Sequence, residues 1–295
     1  MPRSSWDDLP ASVRVAIERE AGLAARIELP TAGRNSDFSA TLHTERGEVF
    51  CKGISDAEGS RGRMHRHEAD INEWLPPAIA PRLRWRTEAD EWLLLGFDHV
   101  RGHHADLSPG SPDLDAVADT VTILTTELAN SAAPAPRLAE QWARLAPWRR
   151  LAKDPTAVLD DWTREHLDQL ITWEARSLEA ADGDDLLHTD LHSLNMLIDQ
   201  RAVVIDWAWS RKGAAPVDVA FLLARLVAAR HGVEEADRWC EAIPVWRSTS
   251  AEVRTALAVE IWGIWLHQSI SEPRSLWDSL VPAASQVAKS LLCRT

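Results

Sequence analysis

A chain of 295 residues, 45% of them apolar and 26% charged, holds enough material for one large domain or two lobes around a real core. Its net charge of −13 excludes the basic face that a nucleic-acid or anionic-membrane partner needs, and permits a cationic small-molecule partner. No apolar run of about 18 residues is present, the opening MPRSSWDDLP lacks an apolar signal core, and Cys51, Cys240 and Cys293 show neither disulfide nor zinc spacing, so the expected home is the cytoplasm.

In chain order, PASVRVAIEREAG reads as a first helix, with Pro10 at its start and Gly22 at its end. Three short strands follow, RIEL, DFSATLHT and EVFCKGI, the last two joined by a hairpin at Gly47. A helix over about 60–75 ends before Pro76-Pro77, and RLRWRT and EWLLLGF form two more strands. From Asp113 helices dominate: LDAVADTVTILTTELA, then 156–178, with SAAPAPRL (131–138) as a loop. Strands return briefly around 186–206. Helices then run from Pro216 to the end: VDVAFLLARLVAAR, GVEEADRWCEAI, AEVRTALAVEIWGIWLHQSI and SLWDSLVPAASQVAKSLL.

The densest chemistry lies in LLHTDLHSLNMLID, residues 186–199, and in the following VVIDW. His188 and His192 have a spacing that a helix would turn into a zinc pair, but Thr189 stands where a zinc protease needs Glu, and the flanks read as strand–loop–strand. Phosphoryl transfer explains the set better. That reaction needs a base to aim the acceptor hydroxyl and hard oxygen ligands to hold magnesium against the phosphates. An Asp five residues before an Asn supplies the base and one ligand, and a carboxylate after the next strand supplies the second: Asp190, Asn195 and Asp206.

HTDLHSLNMLID, AVVIDWAWS and VDVAFLL together resemble the signature of the aminoglycoside phosphotransferase and choline kinase-like family, a branch of the protein kinase-like fold. The resemblance implies an α+β bilobal chain. A small, mainly antiparallel β N-lobe would span 1–97 and bind nucleotide; a larger α-helical C-lobe, 98–295, would carry the catalytic loop and the acceptor-binding helices. It implies Asp190 as catalytic base, Asn195 and Asp206 as magnesium ligands, His188 as a brace of the loop, and Asp218 as its buttress. Asp218 also reads simply as a carboxylate at a helix N-terminus. Thr189, Ser193 and Leu194 stand where the family commonly has Gly, Pro and Gly.

A kinase fold also needs a strand lysine paired with a helix glutamate. Lys52, the only lysine before residue 153, lies in EVFCKGI; Glu68 is its expected partner, with Glu73 as the rival. TAGRNSDF, with Gly33, Asn35 and Ser36, occupies the place of the phosphate-covering loop and otherwise reads as a turn. The segment linking the lobes, with Phe97, Asp98, His99 and Val100, would meet adenine through its backbone.

The implied cofactors are ATP, with GTP as the alternative, and Mg2+. The implied activity is transfer of the γ-phosphate to a hydroxyl of a cationic, antibiotic-like acceptor such as an aminoglycoside or cyclic peptide, in resistance or self-protection. Glu234, Glu235, Asp237 and Glu260 would meet ammonium groups and Trp262 and Trp265 a ring, although two Trp three apart on a helix also read as core. A metabolic kinase of the choline, sugar or amino-alcohol type is the alternative within the same chemistry. A non-catalytic nucleotide-binding regulator is the alternative outside it. Neither nucleic acid nor membrane is an expected partner, and the chain is expected to be a monomer or homodimer.

Overall fold

The computed structural model describes residues 4–30 and 36–295. The chain divides into two compact units, Met1–Ala105 with Ser193–Trp209, and Asp106–His192 with Ser210–Thr295. The units do not follow the expected cut at residue 97. His103 and His104 pair with Ile198 and Leu197, and the Ala105 N–H donates to the Met196 carbonyl at 2.9 Å, so backbone pairing ties the 193–209 hairpin to the first unit. At Gly102 (φ +123) a Cβ would stand 2.2 Å from the Ile198 carbonyl oxygen, so this approach needs glycine.

The first unit is built on helix α1 (Ala11–Ala21), strands β1 (Ala24–Glu28), β2 (Phe38–Thr44) and β3 (Gly47–Ile54), helix α2 (Ser60–Ile71), and strands β4 (Leu83–Ala89) and β5 (Trp92–Asp98). The strands form one antiparallel sheet in the order β1-β2-β3-β5-β4. Strand side chains alternate between faces. Phe38, Ala40, Leu42, Cys51 and Leu94 therefore pack with Val13, Ala16 and Ile17 of α1. Leu93, Leu95 and Phe97 point the other way and cluster with Ala57 and Ala69. In the central strand β3, Lys52 pairs in register with Ser39 and Leu95 and takes the face opposite Cys51. A short hairpin completes the unit, with Met196–Ile198 antiparallel to Ala202–Val204.

The second unit is helical: α3 (Asp113–Glu127), α4 (Leu138–Leu145), α5 (Pro147–Lys153), α6 (Asp161–Glu165), α7 (Leu167–Ala181), α8 (Pro216–Ala228), α9 (Val233–Cys240), α10 (Pro244–Ser248), α11 (Ala251–Ser271) and α12 (Trp277–Leu292). A two-stranded ladder joins Asp185–Leu187 to Arg211–Gly213. The expected helix over 156–178 is two helices; the Asp160 carboxylate caps the first by accepting from the Thr163 N–H at 2.6 Å. The short α4 and α5, separated by Ala146 at φ +37, were not foreseen.

α8 and α11 are buried nearly all round and form the centre of this unit. Gly263 lets α11 approach Trp148, whose indole nitrogen would lie 2.5 Å from a Cβ there. Trp148 in turn packs edge-on against Trp262 at 4.8 Å. Two carboxyl groups enter the same core. Glu174 accepts from the Trp148 N–H at 2.7 Å and meets Arg149 at 3.3 Å, while Glu260, 0% exposed, accepts from the Ser177 hydroxyl at 3.2 Å. Burial, reinforced by the charge of Glu174, pushes the Glu260 carboxyl up to about 8.

An unfolded glutamate titrates near 4.5, so between that pH and about 8 the folded chain keeps a proton on Glu260 that the unfolded chain has released. The contribution of Glu260 to stability therefore falls as pH rises through this window. Glu260→Gln, which cannot titrate, is expected to flatten the fall. Thermal unfolding of both proteins from about pH 5 to about pH 9 checks it: parallel profiles would mean that Glu260 is ionised in the fold.

Candidate active site

In the first unit, the amine of Lys52 is held among carboxylates. Its Nζ donates to Glu68 Oε1 at 2.8 Å and Oε2 at 3.0 Å, and to Asp206 Oδ1 at 3.0 Å. Lys52 is 9% exposed and Glu68 3%. α2 turns Glu68 and His65 inward together, and His65 Nδ1 lies 3.1 Å from Glu68 Oε2. Burial opposes the ammonium, but the Asp206 and Glu68 carboxylates outweigh it and hold the Lys52 pKa above the ordinary lysine value. Burial likewise works against the Glu68 carboxylate, and Lys52 and His65 overcome it, so its pKa is lowered. Sequence spacing left Glu73 open as the lysine's partner; the ion pair is made by Glu68.

Asn195 and Asp206 belong to the same unit. The Ile205 N–H donates to the Asn195 carbonyl at 2.9 Å, which holds Asn195 beside the residue that precedes Asp206. Asp206 has φ +65, a left-handed conformation that Asp tolerates better than most residues. A side-chain amide and a carboxylate on adjoining segments are hard oxygen donors and suit magnesium, which keeps several of its waters. Among the described residues no group of three or more His, Cys, Asp or Glu gathers as a metal site.

In the second unit, the loop carrying Asp190 is gripped by α8. Both oxygens of the buried Asp218 accept backbone N–H groups, from His188 at 2.8 Å and Thr189 at 2.7 Å. His188 is fully buried, and its Nδ1 accepts the Asp190 N–H at 3.2 Å. Thr189 has φ +62, which is costly for a β-branched side chain and is the conformation a glycine would take freely; Asp218 holds the strained peptide in place. Burial raises the Asp218 carboxyl above its usual range.

Asp190 itself receives Arg225 Nη2 on Oδ1 at 2.8 Å and has His192 Nε2 3.6 Å from Oδ2. Burial would raise its pKa, but His192 and the Arg225 guanidinium beside it keep it below the usual carboxylate value. Arg225 was missed in the sequence because it sits in the apolar run AFLLARLVAA. The available signal was its position seven residues after Asp218, which returns it to the same helix face.

The other candidates fall as follows. Gly33 and Asn35 lie outside the described residues; Ser36 is half-buried. Phe97 is a core residue of β5 with Lys52 Nζ 5.6 Å from its ring centre. The Asp98 N–H is committed to the Arg82 carbonyl at 2.8 Å, and its carboxylate accepts from Arg84 at 2.6 Å. His99 pairs with Glu48 at 3.1 Å, and Val100 is half-buried.

Glu260 and Trp262 are core side chains, which removes them from an acceptor surface. Trp265 is buried too, its ring 5.3 Å from the Arg225 guanidinium. Asp237 is saturated internally by Trp246 Nε1 at 3.0 Å, Arg294 at 3.2 Å and Arg254 at 3.5 Å. Of the six acceptor candidates, Glu234 and Glu235 keep exposed carboxylates, in the first turn of α9.

The sequence profile of the phosphotransferase enzyme family matches residues 34–251, and the chain belongs to that family. No curated protein sequence matches significantly. Among solved structures the chain is similar to a thermostable mutant of aminoglycoside phosphotransferase APH(4)-Ia in ternary complex with AMP-PNP and hygromycin B (18% identity, 96% of this chain and 98% of that one, TM-score 0.68). It is also similar to the GDP complex of aminoglycoside 2'-phosphotransferase-IIIa (12% identity, 97% and 99%, TM-score 0.66). A third similar structure is the choline kinase LicA from Streptococcus pneumoniae (12% identity, 95% and 98%, TM-score 0.61). The fold, an antiparallel sheet followed by a helical region, is thus protein kinase-like.

Lys52→Met should cost about 3–5 kcal/mol, because it strands the buried Glu68 carboxylate. Adding Glu68→Leu should recover much of that loss. Urea unfolding of the two variants checks this; a double variant no more stable than the single would mean that the pair is not the determinant.

Proposed function

We propose that this chain is a magnesium-dependent small-molecule O-phosphotransferase that moves the γ-phosphoryl group of ATP, or of GTP, onto an alcohol. The observation that carries the proposal is the buried Lys52 amine between Glu68 and Asp206. A lysine fixed in that way is a phosphate-binding point charge, oriented by one carboxylate and adjoining a second that a metal can share. Bound magnesium, with Asn195 and Asp206 as its protein ligands, would neutralise charge on the phosphates.

Asp190 is the base. It takes the proton of the acceptor hydroxyl as that oxygen bonds the γ-phosphorus and the bond from phosphorus to the ADP oxygen breaks. Phosphorylated acceptor and ADP leave. A carboxylate kept ionised by Arg225 and His192 is ready for that proton at neutral pH. His188 and Asp218 keep the loop in one conformation, which serves catalysis by positioning. ATP-phosphate contact by Gly33, Asn35 and Ser36, and adenine contact by the backbone of 97–100, complete the assignment.

A cationic, antibiotic-like acceptor is the first choice, supported by the net charge of −13 and by a similar fold that binds hygromycin B. Glu234 and Glu235 are the carboxylates in place to meet it. A metabolic kinase acting on a small amino alcohol is the second choice. It is favoured by the internal commitment of Asp237 and Glu260, which leaves fewer acidic groups for a polycation.

Screening aminoglycosides, cyclic peptides, choline and amino alcohols by mass spectrometry should show one acceptor gaining a single phosphate. ATP binding with no acceptor modified would favour a regulatory protein instead. Asp190→Asn should leave nucleotide affinity within about threefold while transfer falls by about three orders of magnitude; near-normal turnover would remove Asp190 from the reaction. Asp206→Ala should weaken magnesium-nucleotide binding itself, and unchanged affinity would move the metal elsewhere.

A further inference from the structure

Within the second unit, Arg225 is unusual. It lies in the middle of α8, its side chain is nearly buried, and it spends one guanidinium nitrogen on Asp190 Oδ1 at 2.8 Å. Its Nε is buried with no hydrogen-bond partner among the described residues. Burying a guanidinium with an orphaned donor is unfavourable. The contact therefore has to return something that an apolar residue in AFLLARL would not.

The surroundings limit how Arg225 can move. The ring of Trp265, on α11, lies 5.3 Å from the guanidinium carbon, and Phe221 packs against Trp265 at 6.0 Å. The indole face offers a guanidinium plane a stacking surface that a lysine ammonium would not use in the same way. Seven residues up the same face of α8, Asp218 fixes the peptides of His188 and Thr189. One helix face thus holds the loop twice, once by its backbone and once by the carboxylate that follows.

We propose that Arg225, clamped by Trp265, is the positioning residue of Asp190: its bond to Oδ1 fixes the carboxylate in the orientation from which it takes the acceptor proton. This rests on the assignment of Asp190 as base. Trp265 then acts on the reaction from inside the helical core, through Arg225 and not by touching the acceptor. His192 Nε2 lies 3.6 Å from Oδ2.

The test uses the full chain and needs no knowledge of the alcohol. Turnover is followed as ADP release from MgATP with water as acceptor, and unfolding in urea gives a double-mutant cycle between Arg225→Met and Asp190→Asn. Arg225→Met should lower kcat about 100-fold while KM for MgATP stays within about twofold. Arg225→Lys should recover part of kcat, and added guanidinium ion should raise the rate of Arg225→Met but not of Asp190→Asn. Trp265→Leu should fall between wild type and Arg225→Met. The unfolding cycle should show coupling of at least about fivefold in the equilibrium constant, a readout that stands even if water is too poor an acceptor or Arg225→Met must be replaced by Arg225→Lys to obtain folded protein. Normal kcat in Arg225→Met beside a dead Asp190→Asn would overturn the role of Arg225 and leave the base in place. Active Asp190→Asn would overturn the base and the proposal together, and absent coupling would overturn the contact.

Discussion

The constraint on which the first unit turns is the neutralisation of one buried ammonium. Period-two alternation sends Cys51 into the core under α1 and so delivers Lys52 to the other face, at 9% exposure. An unpaired charge there would cost several kcal/mol. Two carboxylates remove that cost, one 16 residues away on α2 and one 154 residues away after the returning hairpin. The register of β3, the seating of α2 and the inclusion of 193–209 in the first unit are therefore coupled through one side chain. A shift of a single residue in β3 would bury Cys51 where the carboxylates wait and drive Lys52 under α1.

The second unit solves a complementary problem, holding a strained loop still. Thr189 at φ +62 persists because the two oxygens of Asp218 take the adjacent N–H groups, and neither oxygen can be replaced by water without opening a buried site. A glycine at this position would adopt the same φ without that cost. The same unit tolerates two carboxyl groups in its core by keeping a proton on one of them, which a pairing of two charges would not allow.

Much of this was legible in the sequence, for physical reasons that differ from element to element. β2, β3 and β5 announce themselves by apolar runs at strand length, and the hairpin at Gly47 by its turn. Asp190, Asn195 and Asp206 stand out because acidic and amide groups between apolar strands have no structural excuse. The pairing of His103 and His104 with 197–198 is too short to leave a periodic signal, so the division at Ala105 was hidden. α4 and α5 were hidden because Ala146 at φ +37 breaks one apolar pattern into two short ones. Glu260 reads as an acceptor-facing carboxylate because sequence carries no sign of its burial. Trp262 and Trp265 obeyed the helix spacing that marks core.

In the proposed function, a divalent ion and a nucleoside triphosphate meet at Asn195 and Asp206. The most direct measurement is nuclear magnetic resonance of the protein with ATP and Mn2+ in place of Mg2+, reading paramagnetic broadening residue by residue. Broadening centred on the signals of Asn195 and Asp206, present with ATP and absent without it, is the result expected. Sharp signals at 195 and 206, with broadening elsewhere, would contradict it.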